Sequence, residues 1–172
     1  QQRLEEWPGY ADAKDEGRII YVAADGTGAL RCDGSDDQVE INAALDQVAA
    51  SEQLTTVHLK GPATYTVSDT IRIPGNTVLQ GDADAVLTVI PHEDALWPPF
   101  KAMIECRGYG LRNIIVRGFE IKGNRDSFSS DRHYYSIYLV NAYDVTVNDM
   151  YIHDASGDGV KFHHFTSRFV GP

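Results

Sequence analysis

Carboxylates, cations and aromatic rings crowd the second half of this 172-residue chain. Glu105, Asp126, Asp131 and Asp158 lie among Arg132, His133, Lys161 and His163, and the segments between them carry Trp97, Phe100, Phe128, Tyr134, Tyr135 and Tyr138. Two chemistries use such a set. Hydrolysis of a glycosidic bond needs one protonated and one ionised carboxyl on either side of it, about 5 Å apart for retention and about 6.5–9.5 Å for inversion. Elimination from a uronic acid needs a base for the proton beside the carboxylate and a cation to neutralise that carboxylate. Glu105 with Asp158, and Asp131 as substitute, make the preferred hydrolytic set, whereas Lys161, Arg132, His133 or His163 would serve elimination. Tyr138, Lys161, Trp97, Arg132, His133, Tyr134, Tyr135 and His163 are the expected substrate contacts, rings stacking on sugars and polar groups gripping hydroxyls and carboxylates.

Such residues act together only if the fold gathers them, and an internal repeat supplies the register. Asn113–Ile121 aligns with Asp144–Ile152 at an offset of 31, and Ile137–Leu139 aligns with Val160–Phe162 at an offset of 23. Ile104–Cys106 falls on the same template one turn earlier. Short alternating runs, turned by Gly and Asn, predict an all-β chain wound as a right-handed parallel β-helix; a β-sandwich would show longer strands at hairpin spacing. Alternation along each strand then points Glu105, Tyr138 and Lys161 outward as one ladder. On another face Glu120 falls beside Tyr151 and Lys122 beside His153. Two insertions, 91–100 and 123–135, enter before strands of the first ladder and are expected to wall a groove floored by it.

Upstream, Ser35 and Gln38 have capping-box spacing, and Ile41, Ala44, Leu45 and Val48 share one face, predicting a helix from about Asp36 to Ala50. Placed across the first coil, it would cover the open strand edges. The organisation expected is an N-terminal extension over 1–20 and a β-helix domain over 21–172. The last residues follow an inward-facing strand with no second cap in sight, so the chain reads as the N-terminal part of something longer, its far end covered by further coils or a second chain.

A formal charge of −10 argues against nucleic acid as a partner, and no apolar run is long enough for membrane insertion. Two cysteines, Cys32 and Cys106, are too few for a sulfur metal site; a bridge between them and two free thiols both remain open. No metal or other cofactor is expected, calcium being the one open exception. Asp33, Asp36 and Asp37 lack the spacing of an EF-hand loop and suit helix capping instead. Adjacent His163 and His164 point to opposite sides of a strand, one expected at the surface and one buried.

The runs Tyr21–Gly28, Cys32–Leu45 and Thr55–Pro62 resemble the N-terminal part of pectate-lyase-like β-helix proteins on methanogenic archaeal surfaces, a group that includes disaggregatase. The resemblance covers roughly residues 21 to 90 and implies an extracellular, cell-surface depolymerase of an acidic, chondroitin-like polysaccharide. Gly157-Asp158-Gly159 resembles turns found across β-helix carbohydrate enzymes. Glycosidic hydrolysis is the expected reaction; the alternatives are a polysaccharide lyase and a non-catalytic glycan-binding or adhesive module.

Overall fold

Three-to-six-residue runs with alternating apolar positions become short strands because each is ended by a residue that turns the chain. The computed structural model describes residues 18–27, 30–129 and 133–164. Strands β1 (Ile19–Ala23) and β2 (Leu30–Arg31) precede helix α1 (Gln38–Ala49). Then come four groups of three: β3 (Thr55–Leu59), β4 (Ala63–Val67) and β5 (Ile71–Ile73); β6 (Thr77–Gly81), β7 (Ala85–Val89) and β8 (Ala102–Cys106); β9 (Arg112–Arg117), β10 (Glu120–Lys122) and β11 (Tyr135–Val140); β12 (Tyr143–Asn148), β13 (Tyr151–His153) and β14 (Val160–His163).

From β3 onward each strand pairs in parallel with the strand three places further along. Three sheets result, ordered β12-β9-β6-β3-β1-β2, β13-β10-β7-β4 and β14-β11-β8-β5. The register is the one the repeats predict: Val145 lies against Ile114, Tyr151 against Glu120, and Val160 and Ile104 on either side of Ile137. Inward residues stack in rows. Ile71, Ile104 and Ile137 form one row, and Tyr65, Leu87 and Ile121 another, all with no exposed surface. Each such aliphatic side chain contributes about 1.5–3 kcal/mol by leaving water.

Single residues in the left-handed region make the corners. Asn76 just before β6, and Asn113 and Asp144 as the second residues of β9 and β12, hold φ of 55°, 58° and 53°, and the Asn113 amide donates to Asn76 Oδ1 at 2.8 Å. Asn and Asp tolerate this conformation better than other residues with a side chain. Gly118, at φ 85°, turns β9 into β10 with Gly81 O where a Cβ would sit 2.8 Å away, so the corner excludes a side chain.

Helix α1 seals the free edges of β4 and β5. Its apolar face buries Ile41, Ala44, Leu45 and Val48 in the common core. Its polar side chains take the place of a neighbouring strand. Asp37 Oδ2 accepts from Thr66 N at 2.7 Å, Gln38 Oε1 from Ser68 N at 3.0 Å, and Asn42 Oδ1 from Arg72 N at 2.9 Å while its amide donates to Thr70 O at 3.0 Å. β3 needs no such help because β1 pairs with it.

Two expectations change and one open alternative closes. The capping box does not form: the helix starts at Gln38, whose side chain is taken by Ser68, and Asp37 instead receives the N–H groups of Asp33 and Gly34 at 3.1 and 2.9 Å. Cys32 and Cys106 are free and buried, not bridged. Val160 and Phe162 keep their inward register yet are 37% and 59% exposed, because β14 is the last strand of its sheet among the described residues.

Removing a side chain that completes a buried strand edge leaves amides without partners, which costs about 1–3 kcal/mol per site. Asp37→Ala and Asn42→Ala are each expected to lower the unfolding free energy in urea by roughly 2 kcal/mol. Val39→Ala, on the exposed side of the same helix, should change it by less than about 0.5 kcal/mol.

Candidate functional site

The outward ladder of the third sheet is one strand longer than the repeats suggest. Arg72, Glu105, Tyr138 and Lys161 occupy successive rungs of β5, β8, β11 and β14. Rungs of a sheet are about 4.8 Å apart. Arg72 was missed, although Ile71-Arg72-Ile73 carries the same apolar–charged–apolar signature as Ile104-Glu105-Cys106. Its guanidinium Nε lies 3.2 Å from Glu105 Oε1.

The two insertions meet beside this ladder, as their positions predict. Phe100 N donates to His133 O at 2.7 Å and Tyr135 N to Lys101 O at 2.8 Å, so the β7–β8 and β10–β11 connections are bonded to each other. Their aromatic residues divide into two sets. Trp97 and Tyr134 are fully buried, with ring centres 5.6 Å apart, and Phe128 meets Tyr134 edge-on at 5.4 Å. With Phe128 packed against them they form the core of the insertions; Trp97 and Tyr134 present no face to a sugar, which corrects their assignment as substrate contacts. The outer set is Phe100, His133, Tyr135 and Tyr138. Phe100 is 68% exposed and held at φ 70°, and His133 is exposed. Tyr135 shows only 5% of its surface and links the two insertion rings to Tyr138, whose ring centre is 5.1 Å away. Tyr135 is therefore a support for the site and not an open stacking platform.

Lys161 closes the far side. Its ammonium donates to the Tyr135 hydroxyl at 3.1 Å, lies 4.6 Å from the centre of that ring, and stands 3.4 Å from Asp158 Oδ2. The bond to Tyr135, followed by the Asp158 carboxylate, holds the Lys161 pKa above its usual value against an opposing desolvation. Lys161 stays charged at neutral pH, which suits a cation that neutralises an acid and not a base. One rung back, the Tyr138 hydroxyl is 3.2 Å from His163 Nδ1. Both His163 and His164 are exposed, so neither is the buried histidine the alternation implies. Glu105 and Asp158, the preferred hydrolytic pair, each already hold a cation, Arg72 and Lys161 respectively. Asp126 is exposed and pairs with Arg125. Asp131 and Arg132 lie outside the described residues.

Elsewhere, a shallow depression opens between the start of α1 and the first insertion, but its Lys101 is engaged by Asp69 at 2.8 Å and by Leu96 O at 2.8 Å. Cys32, Asp37 and Glu40 bring one ligand atom each within 4.8 Å of one another, the single metal-type grouping among the described residues. Burial, then the charges of Asp37 and Glu40, push the Cys32 thiol far above its ordinary pKa. A metal there would have to displace that proton and share a carboxylate already accepting three backbone N–H groups. Asp33 and Asp36 are engaged by Ser35 N and Ser68 Oγ.

Comparison with protein-family models gave no match, and comparison with curated proteins gave none either.

A second cluster lies on the middle sheet, at the rungs where Glu120 meets Tyr151 and Lys122 meets His153. The contact crosses diagonally: His153 Nε2 is 2.9 Å from Glu120 Oε1, its Nδ1 is 3.0 Å from Asp154 Oδ2, and its ring stacks on Tyr151 at 4.7 Å. The hydrogen bond that His153 donates to Glu120 raises its pKa against a smaller desolvation, with Asp154 adding to the rise. A raised folded value means that the imidazolium stabilises the fold fully below the unfolded value of about 6.5 and loses that effect as pH climbs through the folded value. The urea midpoint is expected to fall as pH rises from about 6 to 9, and His153→Gln should flatten that part of the profile.

Proposed function

We propose that the chain is part of an extracellular right-handed parallel β-helix that cleaves an acidic, chondroitin-like surface polysaccharide along the third sheet. The three-place parallel pairing and the resemblance of residues 21–90 to disaggregatase-like surface proteins support the architecture and setting. The trough of Arg72, Glu105, Tyr138 and Lys161, walled by Phe100 and His133, supports the substrate class. A polymer laid across the rungs meets a new side chain about every 4.8 Å, and the two cations at the ends of the ladder match carboxylates spaced along it.

The observation that carries the reading is the set Lys161–Tyr135–Tyr138–His163. It favours elimination over hydrolysis. Lys161, exchanging Asp158 for the substrate, neutralises the uronate carboxylate, which acidifies the adjacent C–H. The Tyr138 hydroxyl, once its proton has passed to His163, takes that C–H proton; the electron pair forms the ring double bond as the glycosidic C–O bond breaks. The departing oxygen then receives the proton from Tyr138. General acid–base groups of this kind contribute about 10²–10⁴-fold. Hydrolysis by Glu105 and Asp158 is the second reading, and it requires both carboxyls to leave their present cations.

Incubation with chondroitin or polygalacturonate, following reducing ends and the ultraviolet absorbance of unsaturated uronate together, separates these readings. Both signals are expected to rise in parallel, with Tyr138→Phe and Lys161→Gln each slowing them by roughly 100-fold or more and Glu105→Gln by much less. Reducing ends without absorbance would assign hydrolysis. Neither signal, with binding retained, would leave a glycan-binding module.

A further inference from the structure

We propose that the outer face of the first sheet carries a separate binding line for acidic oligosaccharides, in which Arg117 receives a carboxylate or sulfate. The inference does not rest on the third-sheet trough. Tyr21, His58, Gln80, Arg117 and Asn148 occupy successive outward rungs of β1, β3, β6, β9 and β12. Five hydrogen bonds along and beside these rungs run in one fixed order. Asp82 Oδ1 accepts from His58 Nε2 at 2.9 Å, while Asp82 Oδ2 accepts from Gly61 N at 2.9 Å. His58 Nδ1 then accepts from the Gln80 amide at 2.8 Å. Gln80 Oε1 accepts from both Nε and Nη2 of Arg117, at 3.1 and 2.9 Å. Turning any member over would set donor against donor, so each fixes the next.

The end product of this chain is an immobilised guanidinium. One edge of Arg117 is held by a neutral amide, and the other edge meets no carboxylate among the described residues. Arg72, Lys101, Arg107, Arg112 and Lys161 all have one. Arg18, Arg31 and Lys122, which also have none among the described residues, are exposed; Arg117 is half-buried. In a chain of net charge −10, a partly sunk, oriented guanidinium with an unused planar edge is a receptor for a planar or tetrahedral oxyanion.

Its surroundings specify the rest of the ligand. The residues are rungs of a sheet surface, so a small anion would meet a single edge of Arg117 and bind weakly. Three rungs away, roughly 14 Å at the spacing of a sheet, the Tyr21 ring leans on His58 with centres 5.3 Å apart and remains 42% exposed. A short oligosaccharide spans that distance, an acidic sugar on Arg117 and the apolar face of another on Tyr21.

The test is ¹⁵N and aromatic NMR on the full chain with a galacturonate tetrasaccharide, its carboxyl-reduced neutral counterpart, and sodium sulfate. The acidic tetrasaccharide is expected to shift the Arg117 Nε–Hε and Tyr21 ring signals, the neutral one to leave them in place, and sulfate to act only at far higher concentration. Arg117→Gln should weaken the tetrasaccharide roughly tenfold. Tyr21→Ala, outside the hydrogen-bonded chain, should weaken it severalfold. Lys161→Gln should leave these signals responsive, which keeps this site distinguishable from the trough. Absence of an Arg117 shift, equal response to sulfate and tetrasaccharide, or unchanged affinity in both Arg117→Gln and Tyr21→Ala would overturn the proposal. A response confined to Lys161 and Arg72 would overturn it too, while supporting the trough.

Discussion

Everything in this molecule depends on a strand finding its hydrogen-bond partner three strands away and at the same height. The connection must turn the chain in very few residues and return it in register, because a slip of one would send each inward side chain to the surface. Left-handed corners meet that demand. Asn76, Asn113 and Asp144 turn successive groups at one corner, while Gly118 and Asp149 do so at the next. Only residues that tolerate positive φ fit there, so the corners recur in the sequence as Asn, Asp and Gly between apolar runs. With corners fixed, rows such as Ile71–Ile104–Ile137 stack without further instruction.

Repeated pairing leaves an unpaired edge at the start of the stack, and two devices close it. β1 adds a strand to β3. At β4 and β5, Asp37, Gln38 and Asn42 offer carboxylate and amide groups to the backbone of Thr66, Ser68, Thr70 and Arg72. This explains why a nearly fully buried pair, Asp37 and Gln38, stands at the start of an otherwise ordinary amphipathic helix. It also places Asp37 next to the Cys32 thiol, so a grouping with the composition of a metal site arises from edge closure.

Periodicity made the architecture legible, since alternation and the offsets of 31 and 23 are local properties of the chain. The ladder Glu105–Tyr138–Lys161 followed from them and is present. The insertions were less legible because aromatic residues in a long loop have two uses. Trp97 and Tyr134 lie together inside, since a loop of that length must bury apolar surface to hold a shape, while Phe100 stays outside. Nothing in their spacing separates these fates; the partner insertion decides them. The His153 cluster escaped notice because its contact with Glu120 is diagonal, and register alone pairs His153 with Lys122. Likewise His58, Gln80 and Arg117 come from strands 22 and 37 residues apart, where no repeat had been recognised.

An acidic protein with an acidic ligand is the remaining difficulty of the proposed function, and distance resolves it. At physiological ionic strength charges more than about 8 Å away are largely screened, so the overall charge of −10 acts weakly on a ligand already at the surface. The side chains within reach decide. Several acidic groups on the described surface are neutralised by a neighbour, as Glu105 is by Arg72 and Asp144 by Arg112. Along the third-sheet trough the rungs end in cations at both sides, and on the first sheet Arg117 is held by the Gln80 amide and by no carboxylate among the described residues. A polyanion would be repelled at long range and held at short range, which favours slow capture of an extended chain already dense around the protein over fast recruitment of small anions from solution. A surface matrix presents its ligand in that way.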